Sequence, residues 1–280
     1  MSLKYTCSQD IIHEAVGKLK KSGRVADDAS FNMDALEGLR REVSYRDLDF
    51  LEHLGYCNEV KVVEDALNFL KQNGLASPEA TYDPIAFINH RVEVKRKFEA
   101  DWGTITPVAE RLFYMLSSVR QPKRILAGGI FWGNAMIWNI GSSCGKGKVY
   151  DAERVYGLDL NADAVAQATR NINKLDDTEH VSLFVAEAIQ YAKETTDTFD
   201  YVYLDVGISQ IEKSLNYDIL KNLYDKLEPG AWVLTHDTTH PFFKKDFEKY
   251  LAFVHDKDLF ETSICFDIDQ YGLELSVKKH

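Results

Sequence analysis

Acidic and polar side chains follow four apolar runs of this 280-residue sequence, each at the point where the run ends. Asp159 follows RVYGL, Glu187 follows VSLFVA, Asp205 follows FDYVYL, and His236 with Asp237 follows AWVLT. Carboxylates accept hydrogen bonds from hydroxyl and amino groups, and a histidine can take a proton from a reacting group. A single such residue is often only a helix cap, but four in succession indicate a binding or catalytic site.

A fifth apolar run, RILAG, leads into the glycine-containing stretch GIFWGN and ends at Asn134. Its glycines lack the G-x-G-x-x-G spacing of a dinucleotide-binding turn, so that cofactor class is excluded. The stretch 141–148, GSSCGKGK, also fails as a phosphate-binding P-loop, because its spacing is one residue short and no Ser or Thr follows the lysine. We interpret it as a flexible surface loop.

The elements that must position these residues alternate along residues 102–280. Each apolar strand-like run is followed by a run with helical spacing, which predicts βαβ units and a parallel sheet covered by helices on both faces. Residues 259–266 and 271–278 break the pattern, since two strand-like runs are joined there by a short turn. We therefore predict an α/β, Rossmann-like, seven-stranded sheet that is mostly parallel and ends in an antiparallel hairpin strand. Ligands of such sheets bind beyond the carboxyl ends of the strands.

Residues 1–101 read as helices closed by glycines, with apolar positions repeating at a spacing near 3.6 and no strand pattern between them. The predicted helices run over 8–23, 32–55, 58–74 and 84–98. We predict two domains, an all-helical N-terminal domain over 1–101 that covers the substrate and a sheet domain over 102–280.

Composition narrows the class of protein. The formal charge of −11, from 33 basic and 44 acidic residues, argues against a protein that binds nucleic-acid phosphates. The four cysteines show no metal-binding or disulfide spacing. The sequence has neither a membrane-spanning run nor a signal-peptide pattern. We expect a soluble, cytoplasmic protein that binds neither membranes nor nucleic acid, with a homodimer as an alternative to a monomer.

The ordered set of motifs resembles the class I S-adenosylmethionine-dependent methyltransferases, and among them the small-molecule O-methyltransferases of the catechol and caffeoyl-CoA type. The stretches that carry the resemblance are ILAGGIFWGNAMIW, RVYGLDLNADAVAQATRNI, VSLFVAEAIQYA, LEPGAWVLTHD and GLELSVKK. It extends over roughly Trp102 to Lys278 and implies S-adenosyl-L-methionine as the cofactor.

The resemblance assigns contacts to that cofactor. The candidate cofactor-binding residues are Gly129, Phe131, Trp132, Gly133, Asn134, Asp159, Glu187 and Asp205. The glycines would admit the methionine part, Asp159 would bind the ribose and Glu187 the adenine. The helix N-terminus near Asn134 would favour the carboxylate. Phe131 and Trp132 either plug the end of the sheet or face the sulfonium, which an aromatic ring attracts.

The candidate catalytic residues are His236, Asp205 and Asp237, with His236 as a general base for a hydroxyl or amine. His236 and the nearby His240 could instead cap the helix that begins near Pro241. The chain differs from the metal-dependent members of the family that it resembles in two ways. Thr238 stands where they have an asparagine, and the catalytic lysine that closely follows their aspartate at the position of Asp205 is missing. We expect no metal site, with Mg²⁺ on Asp205, Asp237 and the Thr238 hydroxyl as the alternative.

These observations predict an S-adenosylmethionine-dependent transferase that methylates an oxygen or nitrogen of a small metabolite. One alternative uses another carbon of the cofactor, by aminocarboxypropyl transfer or a cyclisation that releases methylthioadenosine. The other is a degenerate, non-catalytic binding module.

Overall fold

A computed structural model describes residues 2–4, 59–100, 105–207, 213–267 and 271–280. The described strands form one sheet with the spatial order β1-β7-β8-β6-β5-β2-β3-β4. Their bounds are Ser2–Lys4 (β1), Arg124–Gly128 (β2), Arg154–Asp159 (β3), Val181–Val185 (β4), Phe199–Leu204 (β5), Leu227–His236 (β6), Phe260–Asp267 (β7) and Leu273–Lys278 (β8).

All seven predicted strands are present, and the parallel sheet with an antiparallel C-terminal pair is confirmed. Strand β8 lies between β6 and β7 and runs antiparallel to both. The sheet has one strand more than predicted, because β1 pairs in parallel with β7 at the sheet edge. Three residues are too few to show the alternation that identifies a strand in a sequence.

The centre of the sheet is built from uninterrupted apolar runs. Every residue of β5 is buried, and four of the five residues of β2 are buried beside it. Strands of a parallel sheet are covered on both faces, so their sequences are apolar without alternation. Two apolar clusters lie on the two faces, one containing Tyr201 and Tyr203 and the other containing Val202 and Leu204.

The helices lie on both faces of this sheet. Their bounds are Glu59–Gln72 (α1), Pro84–Lys97 (α2), Pro107–Arg120 (α3), Met136–Ile140 (α4), Ala162–Ile172 (α5), Ala188–Glu194 (α6), Leu215–Leu223 (α7) and Glu248–Val254 (α8). In the described ranges, no helix is both long and apolar enough to cross a membrane.

The last two helices predicted for the N-terminal domain are confirmed as α1 and α2. Asp83 caps α2 by accepting hydrogen bonds from the backbone N–H groups of Ile85 and Ala86. The helices predicted over 8–23 and 32–55 lie outside the described residues, as does Trp102. The described helices α1 and α2 share an apolar cluster with α3 and α4. The division at residue 101 stays a prediction.

The prediction of a flexible surface loop at 141–148 is wrong. Residues 141–144 and Gly147 are buried, and His90 of α2 packs directly against this segment. A Cβ added to Gly147 would lie 2.7 Å from the Cβ of His90, and one added to Gly141 would lie 2.6 Å from the His90 Cδ2. The glycines therefore serve the close approach of helix α2 rather than flexibility.

The helix predicted after Pro241 is also shorter than expected. A 3₁₀ turn spans Pro241–Phe243, and α8 begins only at Glu248. The turn is closed by His240, whose Nδ1 accepts a hydrogen bond of 3.2 Å from the Phe242 N–H. The alternative interpretation of His240 as a cap is thereby confirmed.

Candidate active site

The glycine turn after β2 and the loop after β5 meet at the carboxyl edge of the sheet. Strand β2 lies between β3 and β5 in the sheet. The chain continues from β2 to β3 on one side and from β5 to β6 on the other, so a crevice opens between these two connections. At this point Gly129 has a φ of +77°, and a Cβ there would lie 2.7 Å from the carbonyl carbon of Asp205. Only glycine satisfies both the left-handed backbone and the contact.

Asp159 ties the end of β3 to this turn. One carboxylate oxygen accepts a hydrogen bond of 2.8 Å from the Phe131 N–H, and the other accepts one of 2.9 Å from the Asn161 N–H. The Ala186 N–H, at the end of β4, donates to the Asp159 carbonyl at 3.0 Å. A carboxylate oxygen can accept more than one hydrogen bond, so this anchored side chain can still receive a ligand hydroxyl.

The two aromatic residues of the turn form a stacked pair. The ring centroids of Phe131 and Trp132 lie 5.1 Å apart, and the ring planes are nearly parallel, with an interplanar angle of 4°. Phe131 is 42% exposed and Trp132 is partly buried, so the pair does not plug the core. Asn171 of α5 holds the turn by donating from Nδ2 to the Trp132 carbonyl at 3.1 Å.

The helix after the turn begins later than the sequence suggested. Gly133 has a φ of +89° and Asn134 is buried, but α4 starts at Met136, runs for five residues and has no side-chain cap. Asn134 therefore lies in the turn before the helix. Its contact with a cofactor carboxylate stays a prediction.

Glu187 is exposed at the end of β4 and caps helix α6. Its two carboxylate oxygens accept hydrogen bonds from the N–H groups of Ile189 and Gln190, at 2.9 and 2.7 Å. The capping role that a lone acidic residue commonly has is thus present here. The additional role of Glu187 towards an adenine stays a prediction.

A buried ionic cluster lies on the other side of the crevice and consists of Asp205, Lys213, His236 and Asp237. The Lys213 Nζ contacts Asp205 Oδ1 and lies 2.7 Å from Asp237 Oδ2. The His236 Nδ1 lies 3.4 Å from Asp237 Oδ1 and 3.7 Å from Asp205 Oδ2. Tyr203 joins the cluster by donating its hydroxyl to Asp205 Oδ2 at 3.2 Å. The structure therefore brings the three predicted catalytic residues together.

The charges of the cluster stabilise one another. Burial by itself would raise the pKa of Asp205, but the neighbouring Lys213 and His236 outweigh burial and hold this pKa well below its usual range. Burial would likewise lower the pKa of Lys213, yet the Asp205 and Asp237 carboxylates raise it above its usual value. Near neutral pH the cluster therefore contains an ammonium and an ionised Asp205.

His236 is enclosed by aromatic rings as well as by the carboxylates. Its ring centroid lies 6.0 Å from that of Phe113 and 5.7 Å from that of Tyr271. Because Nδ1 faces the two carboxylates, the tautomer with the proton on Nδ1 is favoured, and the lone pair of the neutral ring then lies on Nε2. A histidine oriented in this way by a carboxylate is the usual form of a general base.

The cluster also offers donor atoms of the kind that bind metal ions. One atom each from Asp205, His236 and Asp237 lie within 4.8 Å of one another. The position between the two carboxylates is taken, however, by the Lys213 ammonium. The residues therefore do not fit a divalent ion as they stand, and no step of the chemistry proposed below depends on one.

Lys213 is the residue of this cluster that the sequence did not identify. The sequence shows a missing lysine directly behind Asp205, whereas the structure brings Lys213 back to that carboxylate from eight positions away. Its sequence signal is weak, namely that it is the first lysine after the strand. Tyr203 of β5 is fully buried and also reaches Asp205 through its hydroxyl.

Comparisons with known proteins give a curated relative at low sequence identity. The chain is 24% identical over 159 residues to O-methyltransferase ankF of Aspergillus thermomutatus, a match that covers 56% of this chain. It spans 63%, less than two thirds, of the length of that curated relative. No protein-family model matches the sequence.

Solved structures share the fold at low sequence identity. The Podospora anserina methyltransferase PaMTH1, bound to S-adenosylhomocysteine, superposes with a TM-score of 0.55 and 13% identity over 79% of this chain and 96% of its own. An O-methyltransferase of Bacillus cereus, in complex with the same compound, has a TM-score of 0.52 and 16% identity over 78% of this chain and all of its own. The chain thus has the Rossmann-like fold of methyltransferases.

Proposed function

We propose that this chain is an S-adenosylmethionine-dependent methyltransferase that acts on an oxygen of a small molecule. The observation that carries the proposal is the meeting of the Gly129 turn, the anchored Asp159 and the ionic cluster at one crevice of the sheet. The fold and the O-methyltransferases to which the chain is similar support it.

The cofactor would lie across the carboxyl ends of β2, β3 and β4. The turn at Gly129 and Gly133 would lie against its methionine part, with Asn134 beside the turn, and Asp159 would accept hydrogen bonds from its ribose. Glu187 would lie near the adenine, while Phe131 and Trp132 would face the sulfonium. Asp205 bounds the pocket through its backbone, which abuts Gly129.

Methyl transfer is an in-line displacement for which the cofactor, when bound, supplies an activated methyl group. The bound cofactor would supply the methyl group to the acceptor oxygen and leave as S-adenosylhomocysteine, while His236 Nε2 would take the proton of the acceptor hydroxyl. Asp205 and Asp237 orient the imidazole and stabilise the imidazolium that forms. The Lys213 ammonium has a raised pKa and is therefore not the base.

The acceptor would enter beside His236, whose ring packs against those of Phe113 and Tyr271. Aromatic side chains around a few polar groups suit a small organic molecule. We infer that the predicted N-terminal domain over 1–101 contributes the remaining acceptor contacts. We retain the cytoplasmic location and the homodimer as predictions.

Cofactor binding is the first test, measured as the thermal shift that S-adenosylhomocysteine produces. Binding to the native state alone raises stability in proportion to the logarithm of ligand concentration. We expect Asp159→Ala to weaken binding about 10- to 100-fold, as loss of a charge-assisted hydrogen bond does. The matched control is Asp163→Ala, an exposed acid in the first turn of α5. A wild-type protein that shows no shift would refute the cofactor assignment.

The reaction is tested with methyl-labelled S-adenosylmethionine and a panel of hydroxylated small molecules. Formation of S-adenosylhomocysteine together with a labelled ether or ester supports the proposal. Release of methylthioadenosine would instead show that another carbon of the cofactor reacts. We expect His236→Gln to lower turnover about 100-fold or more while it leaves S-adenosylhomocysteine binding unchanged.

A further inference from the structure

We propose that the Lys213 ammonium is the built-in cation of this active site and excludes a divalent metal ion from it. The inference rests on the proposed function, because the resemblance to catechol-type enzymes places a metal-binding aspartate at the position of Asp205. In this chain a side chain supplies the positive charge that a bound ion would otherwise bring.

The position of the ammonium supports the proposal. The Lys213 Nζ lies between the carboxylates of two different strand ends, contacting Asp205 Oδ1 and lying 2.7 Å from Asp237 Oδ2. The three side chains are largely buried, with exposed fractions of 9% for Lys213, 19% for Asp205 and 12% for Asp237. Ion pairs at this depth are screened much less than those at the surface. A divalent ion bound to the same oxygens would therefore strongly repel the ammonium.

Hydrogen bonds to the backbone of Lys213 and of Val206 also hold the lysine at this position. Buried Asn216 bridges the segment before and the segment after residues 208–212. Its Oδ1 accepts from the Val206 N–H at 3.1 Å, and its Nδ2 donates to the carbonyls of Val206 and Lys213 at 3.0 and 2.9 Å. The Lys213 N–H donates to Asp246 Oδ2 at 3.0 Å. These hydrogen bonds fix the backbone of Lys213, so that its ammonium is preorganised between the two carboxylates.

Removal of the ammonium should convert the cluster into a metal site. In Lys213→Met, the donor atoms of Asp205, His236 and Asp237, which lie within 4.8 Å of one another, lose the competing cation. Carboxylate ligands suit Mn²⁺, and imidazole suits transition-metal ions such as Zn²⁺. Lys213→Arg keeps the positive charge and is the conservative comparison. Lys249→Met makes the same change at an exposed lysine of α8 and is the matched control.

The experiment titrates Mn²⁺ into the four purified proteins by calorimetry and follows thermal stability in parallel. We expect Lys213→Met to bind one Mn²⁺ at least about 100-fold more tightly than the wild type, and to regain thermal stability when it does. The wild type, Lys213→Arg and Lys249→Met should bind weakly and equally. Tight, stoichiometric binding by the wild type or by Lys213→Arg would overturn the proposal, as would unchanged affinity in Lys213→Met.

Two further controls keep the outcomes distinct. If Lys213→Met does not fold, the wild-type and Lys213→Arg titrations decide, together with the metal content of wild-type protein purified in the presence of Mn²⁺. The S-adenosylhomocysteine thermal shift is recorded on the same wild-type sample. If the wild type shows the thermal shift but binds stoichiometric Mn²⁺, the role of Lys213 is refuted and the proposed function stands. If the wild type shows no thermal shift, the proposed function is refuted.

Discussion

The stability of this protein should fall between neutral and mildly acidic pH because of one histidine in helix α2. His90 is fully buried, its Nε2 lies 3.2 Å from the Ile137 carbonyl oxygen, and its ring packs edge-on against Trp138 at 5.6 Å. Burial lowers the pKa of His90 to about 4 in spite of that hydrogen bond and of nearby Glu93. The ordinary pKa of an exposed histidine is 6.5.

The size and sign of the effect follow from these two pKa values. The unfolded chain takes up a proton as the pH falls through 6.5, whereas the folded chain does so only near 4. Each pKa unit corresponds to about 1.4 kcal/mol, so the full loss of unfolding free energy is about 3 kcal/mol. Between about pH 7 and about pH 5 the loss is about 2 kcal/mol. Above the unfolded pKa, His90 gives no pH dependence.

The assay is urea unfolding at several pH values in this window, where most carboxylates remain ionised. His90→Gln cannot titrate, and its amide can still donate to the Ile137 carbonyl. We expect the variant to lose about 2 kcal/mol less than the wild type between about pH 7 and about pH 5, whatever its stability at neutral pH. The matched control is His280→Gln, at an exposed histidine near the C-terminus. Equal slopes for the wild type and His90→Gln would refute the reasoning.

Two further predictions concern the glycine turn. Gly129→Ala should abolish the thermal shift that S-adenosylhomocysteine produces. It should also lower the free energy of unfolding by more than the cost of about 1–2 kcal/mol that an alanine has in the left-handed region. Gly74→Ala, which has a φ of +71° and nothing within 4 Å of its Cβ, isolates the backbone strain, and equal costs would exclude the contact with Asp205. Trp132→Leu should weaken binding of S-adenosylmethionine about 2- to 30-fold, because a cation over an aromatic face gains about 0.5–2 kcal/mol. It should leave binding of S-adenosylhomocysteine unaffected, because the thioether sulfur of that compound carries no positive charge. Calorimetry measures both affinities, with Phe184→Leu at an exposed aromatic residue of β4 as the control. Equal losses for the two compounds would show packing rather than charge recognition.

The central strands of this fold were predictable because burial on both faces gives a continuous apolar run, as in β5. Residues that directly follow such strands were predictable for the same reason, since parallel strands end at one edge of the sheet. Asp159, Asp205 and Asp237 are therefore found where the sequence placed them. The left-handed backbone of Asp237, with a φ of +67°, is a local feature that the sequence did not reveal.

Segments that depend on packing between distant elements were not predictable. The glycines of 141–148 looked like those of a mobile loop, because the side chains that fill the space beside them belong to His90 and Glu93, about fifty positions earlier. A glycine that avoids a clash and a glycine that provides flexibility have the same sequence signature. Only the position of helix α2 distinguishes the two.

Lys213 shows the same limit inside the site. Proximity to Asp205 in the sequence suggested that a lysine was missing, since the residues directly behind the strand carry no positive charge. Proximity in space depends instead on Asn216, which ties Val206 to Lys213 and thereby returns the lysine to the end of β5. The sequence contains both residues, but nothing in their spacing indicates that an asparagine in α7 bridges the two segments. The position of a cation next to Asp205 therefore depends on the hydrogen bonds of the loop that follows β5, and not on the spacing of charged residues along the sequence.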